Sequence, residues 1–236
     1  MRLSPLFFRR VHKWIGLVLG LQFVLWTLSG AMMSMLDHEA VAGGHAKEAE
    51  VRTLPAAGPG WTKARAALGQ TPVTGVAVRQ LLGRHVLEVT TVHGLRLFDA
   101  ATGSPLTIGA PLAKKAAEAA YTGSGHIRAV RQLEEIELAV REHALPIWRV
   151  DFADDQNSSF YVSGETGRVL ERRNDAWRTF DFFWMLHNMD YLNRTSFNHP
   201  LIVIVGFGVL WLAITGFYLL FKTAWRRDLR WLRRAR

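Results

Sequence analysis

The sequence has 236 residues and a formal net charge of +9, and it contains no cysteine. The absence of cysteine excludes disulfides, thiolate nucleophiles, thiolate-held iron–sulfur clusters and Cys-attached c-type haem. The charge lies at the two ends of the chain: residues 1–14 carry four basic side chains and no acidic one, and residues 222–236 carry seven basic side chains and one acidic one. Basic residues beside apolar spans mark the cytoplasmic side of a membrane, so this charge indicates topology and contact with anionic headgroups rather than nucleic-acid binding.

The first apolar run follows a short cytoplasmic N-terminus, residues 1–13, and covers residues 14–36 without a formal charge. As a helix it would be roughly 35 Å long, which is enough to cross a bilayer core. Ala40-Val41-Ala42 offers a signal-peptide cleavage site as an alternative. The run is longer than the ~7–15 apolar residues of a signal peptide, which favours a retained transmembrane helix.

A second apolar run near the C-terminus predicts another transmembrane helix over residues 200–222, followed by a basic cytoplasmic tail over 223–236. Backbone polar groups in lipid must be satisfied internally, so both runs are expected to be helices. Both termini are then cytoplasmic, and the central domain lies outside, in the periplasm of a Gram-negative cell. Gly16 and Gly20 form a G-x-x-x-G pair, which predicts packing against another helix, including that of a second copy in a homodimer, or against a flat ring.

The segment between the spans contains an internal repeat after a linker at residues 37–59. Residues 60–108 and 109–173 each predict a short helix, at 61–68 and 111–121, followed by three strand-like runs and a Thr-Gly turn. The two turns, Thr102-Gly103 and Thr166-Gly167, lie 64 residues apart. Each repeat therefore predicts a helix on a small antiparallel sheet, and two such units can cover each other's apolar faces.

Residues 174–199 are rich in aromatic side chains, several of which recur at helical spacing. Aromatic rings prefer the membrane–water boundary, so this segment predicts an interfacial helix and a loop before the second span. Asn198 and Pro200 are typical of a helix start.

Several of these segments resemble the family of PepSY-associated transmembrane proteins. The likeness is carried by Arg9-Arg10-Val-His-Lys-Trp-Ile-Gly16 and Leu28-Ser29-Gly30 in the first span, by Ile214-Thr215-Gly216 in the second, and by Trp184-Met-Leu-His187-Asn-Met-Asp-Tyr191 and Phe197-Asn-His-Pro200 between them. The resemblance covers nearly the whole chain. It implies a membrane α plus α+β fold, in which two transmembrane helices flank a periplasmic pair of PepSY-like repeats.

Larger, four-span relatives include inner-membrane siderophore reductases that hold b-type haem on span histidines. The resemblance therefore implies haem b and a membrane redox or iron-uptake partner. This chain has two spans, so the full haem set of those relatives does not carry over to one monomer.

Four histidines near the span ends are the candidate haem ligands. His12 lies on the cytoplasmic side, where its alternative role is contact with headgroups and a second ligand would come from another copy. His38, His187 and His199 lie at the outer side, where two of them are candidates to share one haem; His199 has the alternative role of a helix-start residue. His187, on the aromatic segment, is the strongest single candidate.

The sequence has no H-E-x-x-H zinc motif, no G-x-S-x-G elbow and no P-loop. It therefore offers no candidate catalytic residues for a protease. Two hypotheses remain. In the first, the protein is a b-haem electron-transfer component of the inner membrane that acts on an extracytoplasmic acceptor such as a ferric chelate. In the second, it is a non-redox binding module that docks a partner while the spans anchor it.

Overall fold

A computed structural model describes residues 5–44, 59–192, 194 and 198–223. The N-terminal residues 1–4, most of the expected linker, part of the loop before the second span and the basic tail from residue 224 lie outside this description. Within the described residues the helices are α1 (Pro5–Met35), α2 (His38–Val41), α3 (Pro59–Leu68), α4 (Ala110–Ala120), α5 (Asp175–Asn188) and α6 (Pro200–Thr223). A 3₁₀ turn covers Leu138–Val140.

Eight described strands form two separate antiparallel sheets. The first contains β1 (Val73–Leu81), β2 (Arg84–Thr91), β3 (Gly94–Asp99) and β4 (Pro105–Leu106), and the second contains β5 (His126–Gln132), β6 (Ile147–Ala153), β7 (Ser159–Ser163) and β8 (Val169–Arg173). In both sheets the strands pair in chain order, so neighbours along the sequence are neighbours in the sheet. Strands β4 and β8, which follow the Thr-Gly turns, complete the two sheets.

Each sheet carries one helix on an apolar face. Helix α3 covers the face of the first sheet that contains Val78, Val89 and Phe98. Helix α4 packs on the second sheet and shares one buried cluster with apolar residues from both sheets, including Leu97 and Phe160. The two helix-plus-sheet halves are therefore joined through a common core.

The β3–β4 and β7–β8 turns have the same construction 64 residues apart. Asp99 Oδ1 accepts hydrogen bonds from the backbone N–H groups of Ala101 and Thr102, at 3.0 and 2.9 Å. In the second half Ser163 Oγ takes the same role for the residues two and three positions later, at 3.2 and 3.0 Å. Both turns place a glycine at φ +70°. The N–H of Thr102 lowers the pKa of Asp99, so the first turn contains an acid where the second has a neutral hydroxyl.

The chain divides into two compact units. A sheet unit comprises Leu36–Thr179, and a helical unit comprises Met1–Met35 with Phe180–Arg236. The described part of the helical unit therefore contains α1, α6 and residues 180–188 of α5.

Helices α1 and α6 are antiparallel neighbours in the helical unit. A Cβ placed on Gly16 would lie 3.9 Å from Leu212, and one placed on Gly208 would lie 2.8 Å from a methyl of Leu19. A later residue of α1 therefore contacts an earlier residue of α6, as antiparallel packing requires. Gly16 thus faces α6 of its own chain, whereas a Cβ on Gly20 would meet no described atom within 4 Å. Most of the remaining surface of both helices is apolar and exposed, as lipid contact requires.

Both α1 and α6 are long and apolar enough, over Leu6–Met35 and Pro200–Lys222, to cross a membrane. Helix α1 begins at Pro5, nine residues before the uncharged run, because proline suits the first helical turn and no helix breaker separates it from Trp14. Arg9, Arg10 and Lys13 therefore extend the span helix instead of forming a separate lead-in.

Candidate functional site

Two half-buried histidines each lie against a hydroxyl-glycine pair in the helical unit. The Nδ1 atom of His12, in α1, lies 2.7 Å from Oγ1 of Thr215 in α6. The Nδ1 atom of His187, in the last turn of α5, lies 3.2 Å from Oγ of Ser29 in α1. Ser29 and Thr215 are almost fully buried, with 1% and 2% of their surface exposed.

The glycine after each hydroxyl residue leaves room for the imidazole ring. A Cβ on Gly216 would lie 3.5 Å from Cε1 of His12, and a Cβ on Gly30 would lie 3.4 Å from Cε1 of His187. Any longer side chain at either position would extend into the space that the ring occupies. Ser29-Gly30 in α1 and Thr215-Gly216 in α6 therefore have the same arrangement: the hydroxyl contacts Nδ1 of a histidine, and the glycine leaves space for its ring.

The other hydrogen bonds of the two hydroxyls favour one tautomer of each imidazole. Ser29 Oγ donates to the carbonyl of Leu25 at 2.6 Å, and Thr215 Oγ1 donates to the carbonyl of Trp211 at 2.7 Å. A hydroxyl has one hydrogen, so towards each imidazole it acts as an acceptor. We infer from this arrangement that Nδ1 of each ring donates to the hydroxyl, which leaves the lone pair of that tautomer on Nε2.

This arrangement is the one that metal-binding histidines use: one ring nitrogen is held by a hydrogen bond and the other is left for the metal. No hydrogen-bond partner of either Nε2 occurs among the described residues. His12 and Ser29 are seventeen residues apart on α1, so the two sites lie about 25 Å apart along the helix.

The other two candidate ligands have different surroundings. His199, directly before α6, uses its Nε2 atom to contact the backbone carbonyl of Asn188 at 2.8 Å. His199 therefore lies beside the residue that follows His187. His38 is the exposed first residue of α2 and belongs to the sheet unit.

The donor set suits haem iron better than a bare metal ion. The described residues contain no cluster of three or more His, Asp or Glu side chains that could hold a metal ion. A structural zinc ion takes about four protein ligands. Haem iron already has four ring nitrogens and needs only one or two axial imidazoles, so a single free Nε2 at each site fits this group.

Two buried amide donors accompany the sites. The Nδ2 atom of Asn188 and the Nε2 atom of Gln22, in the middle of α1, have no hydrogen-bond partner within the described part of the chain. Buried polar groups of this kind are costly in an apolar environment. Asn188 itself is 2% exposed and lies next to His187.

Sequence reasoning did not foresee the roles of Ser29, Thr215, Gly30 and Gly216. The one sequence feature that points to these roles is a small hydroxyl residue followed by glycine in both spans. A single sequence does not indicate which histidine each of these pairs contacts.

The family comparison matches almost the entire chain: a model of the PepSY-associated TM region covers residues 9–236. Neither a curated protein nor a solved structure matches the sequence.

Proposed function

Because the chain belongs to the PepSY-associated TM family, we propose that it is a membrane electron-transfer component that binds haem b through His12 and His187. The observation that supports this function is the pair of imidazoles whose Nδ1 atoms are held by Thr215 and Ser29 and whose Nε2 lone pairs are left for a ligand. When bound, the haem supplies reversible one-electron chemistry at its iron.

The residues of the chain prepare each site before the haem arrives. The two hydroxyls favour the tautomer whose lone pair lies on Nε2, as a hydrogen-bond partner does for a metal-binding histidine. Gly30 and Gly216 keep the ring positions open. The span residues around the sites are mostly apolar, which suits a cofactor that binds in a low-dielectric environment.

The placement of the sites supports transfer across the bilayer. The about 25 Å between them along α1 is most of the ~30 Å thickness of a hydrocarbon core. One chain therefore offers an imidazole towards each face. His12 and His187 would each hold a haem through Nε2, and any further ligand at the inner site would come from another copy or a partner.

The basic ends give the proposed orientation. We place both termini in the cytoplasm and the sheet unit in the periplasm, in an inner membrane, since basic residues beside the spans mark the cytoplasmic side. The acceptor in this proposal is an extracytoplasmic oxidant of the ferric-chelate type, and the donor is a cytoplasmic or membrane reductant.

The test is a reduced-minus-oxidised absorption spectrum of the detergent-purified protein from haem-replete cells. The variants are His12→Ala, His187→Ala and, as a control, His126→Ala, whose side chain is exposed on a strand of the sheet unit. We expect a b-type α-band that each site variant reduces, that the double variant abolishes and that the control keeps. A folded protein without this band would refute the redox function and favour the binding module that docks a periplasmic or membrane partner.

A further inference from the structure

Helix α5 ends in a conformation that places its last carbonyls beside a side chain of α1 and a side chain that directly precedes α6. Its final residue is Asn188, and the next residue, Met189, has a φ of +57°, which turns the chain out of the helix. The last carbonyls of a helix have no partner within the helix and require one from elsewhere.

Two of these carbonyls are capped by ring N–H groups. The indole Nε1–H of Trp26, in α1, donates to the carbonyl of His187 at 2.6 Å. Nε2 of His199, before α6, lies 2.8 Å from the carbonyl of Asn188. Both caps lie in the helical unit.

The cap defines the state of the His199 ring. A carbonyl oxygen is only an acceptor, so Nε2 of His199 must carry a proton in this contact. That nitrogen is unavailable to a metal, and the remaining lone pair lies on Nδ1, next to the Cβ stem, where the side chain itself crowds a ligand. The situation is the reverse of that at His187, whose Nε2 is free.

We propose that His199 and Trp26 are positioning residues that hold the end of α5 so that His187 reaches Ser29, and that His199 is not an iron ligand. This inference rests on the proposed haem function, because it removes His199 from the candidate iron ligands of the outer site. Of the two partners that the sequence offers His187 for one haem, His38 and His199, it removes His199.

The first part of the test does not depend on haem. Hydrogen–deuterium exchange of the α5 end is measured in the haem-free full-length protein, in detergent, for His199→Leu, His199→Gln and Trp26→Phe, with His126→Leu as a control. Glutamine keeps an N–H donor near the position of Nε2. We expect exchange to be several-fold to about tenfold faster in His199→Leu and Trp26→Phe, the equivalent of one lost hydrogen bond. His199→Gln should restore the wild-type rate. Unchanged exchange in His199→Leu would overturn the capping role.

The second part uses the haem-loaded protein. We expect His199→Gln to keep the α-band and the haem-to-protein ratio of the wild type, and His187→Ala to lose the outer component. Loss of that component in His199→Gln would identify His199 as a ligand and overturn the inference. Wild-type protein without haem, combined with the expected exchange pattern, would refute the proposed function while supporting the positioning of His187 by its caps.

Discussion

The substitution Thr215→Val tests whether a hydroxyl prepares the inner site. Valine keeps nearly the shape of threonine but removes the oxygen that lies 2.7 Å from Nδ1 of His12. Thr215 is 2% exposed, so water does not readily replace that oxygen. Leaving a fully buried donor unpaired costs about 1–3 kcal/mol, which is an upper limit for the half-buried ring of His12.

The expected result is a loss of about 10- to 100-fold in haem affinity at the inner site, the range found when a partner of a metal-bound histidine is removed. The ring then also loses its preference for the tautomer that has a free Nε2. The assay is a spectroscopic titration of haem-free protein in which the outer site has been removed by His187→Ala.

The matched control is Thr27→Val. Thr27 also donates to the carbonyl four residues earlier, at 2.9 Å, but its side chain is exposed and contacts no histidine. Equal affinities in Thr215→Val and Thr27→Val would refute the reasoning, because the loss of a threonine hydroxyl on a span would then have no specific consequence for His12.

Three further predictions concern the rest of the molecule. Gln22→Leu removes a buried amide nitrogen that has no described partner, so it should stabilise the helical unit by about 1–3 kcal/mol in detergent unfolding followed by circular dichroism; a loss of stability would instead reveal a partner for the amide. The N–H of Thr102 lowers the pKa of Asp99 in the folded protein. The ionised carboxylate therefore stabilises the fold above its unfolded-state pKa of about 4, and this stabilisation is lost as the pH falls through the lower pKa of the folded state. Asp99→Ser, which copies Ser163 of the other half, should therefore weaken the acid dependence of the denaturant midpoint, and an unchanged acid limb would contradict this. Gly60→Ala would place a methyl group against a carbonyl oxygen of the β3–β4 turn and should destabilise the sheet unit by about 1–3 kcal/mol in pulse proteolysis, whereas wild-type resistance would show that α3 can shift.

The features of the fold that the sequence predicts best depend on local patterns. The uncharged runs predict both span helices because no other structure satisfies so many backbone groups in lipid. The matched Thr-Gly turns predict the repeated helix-plus-sheet halves because glycine readily adopts the positive φ found at both turns. The start of α1 differs, since a count of uncharged residues does not detect a helix that continues through Arg9, Arg10 and Lys13.

The candidate site depends on contacts between residues that are far apart in the sequence, and such contacts cannot be predicted from a single sequence. His12 and His187 are recognisable as candidates from their places beside the spans. Their hydroxyl partners lie 203 and 158 residues away, and the pairing depends on the register of α1 with α6 and on where α5 ends. His199 illustrates the same limit: its sequence position suggests a ligand, while its contact with a helix-ending carbonyl supports a cap.

The most direct measurement is the nitrogen-15 chemical shift of each imidazole nitrogen in haem-free protein in detergent, at a pH of about 8, where an ordinary histidine is neutral. We expect a protonated Nδ1 and an unprotonated Nε2 for His12 and His187, and the opposite tautomer for His199. Protonated Nε2 atoms on His12 and His187 would contradict this expectation, because neither ring would then offer the lone pair on which haem binding depends.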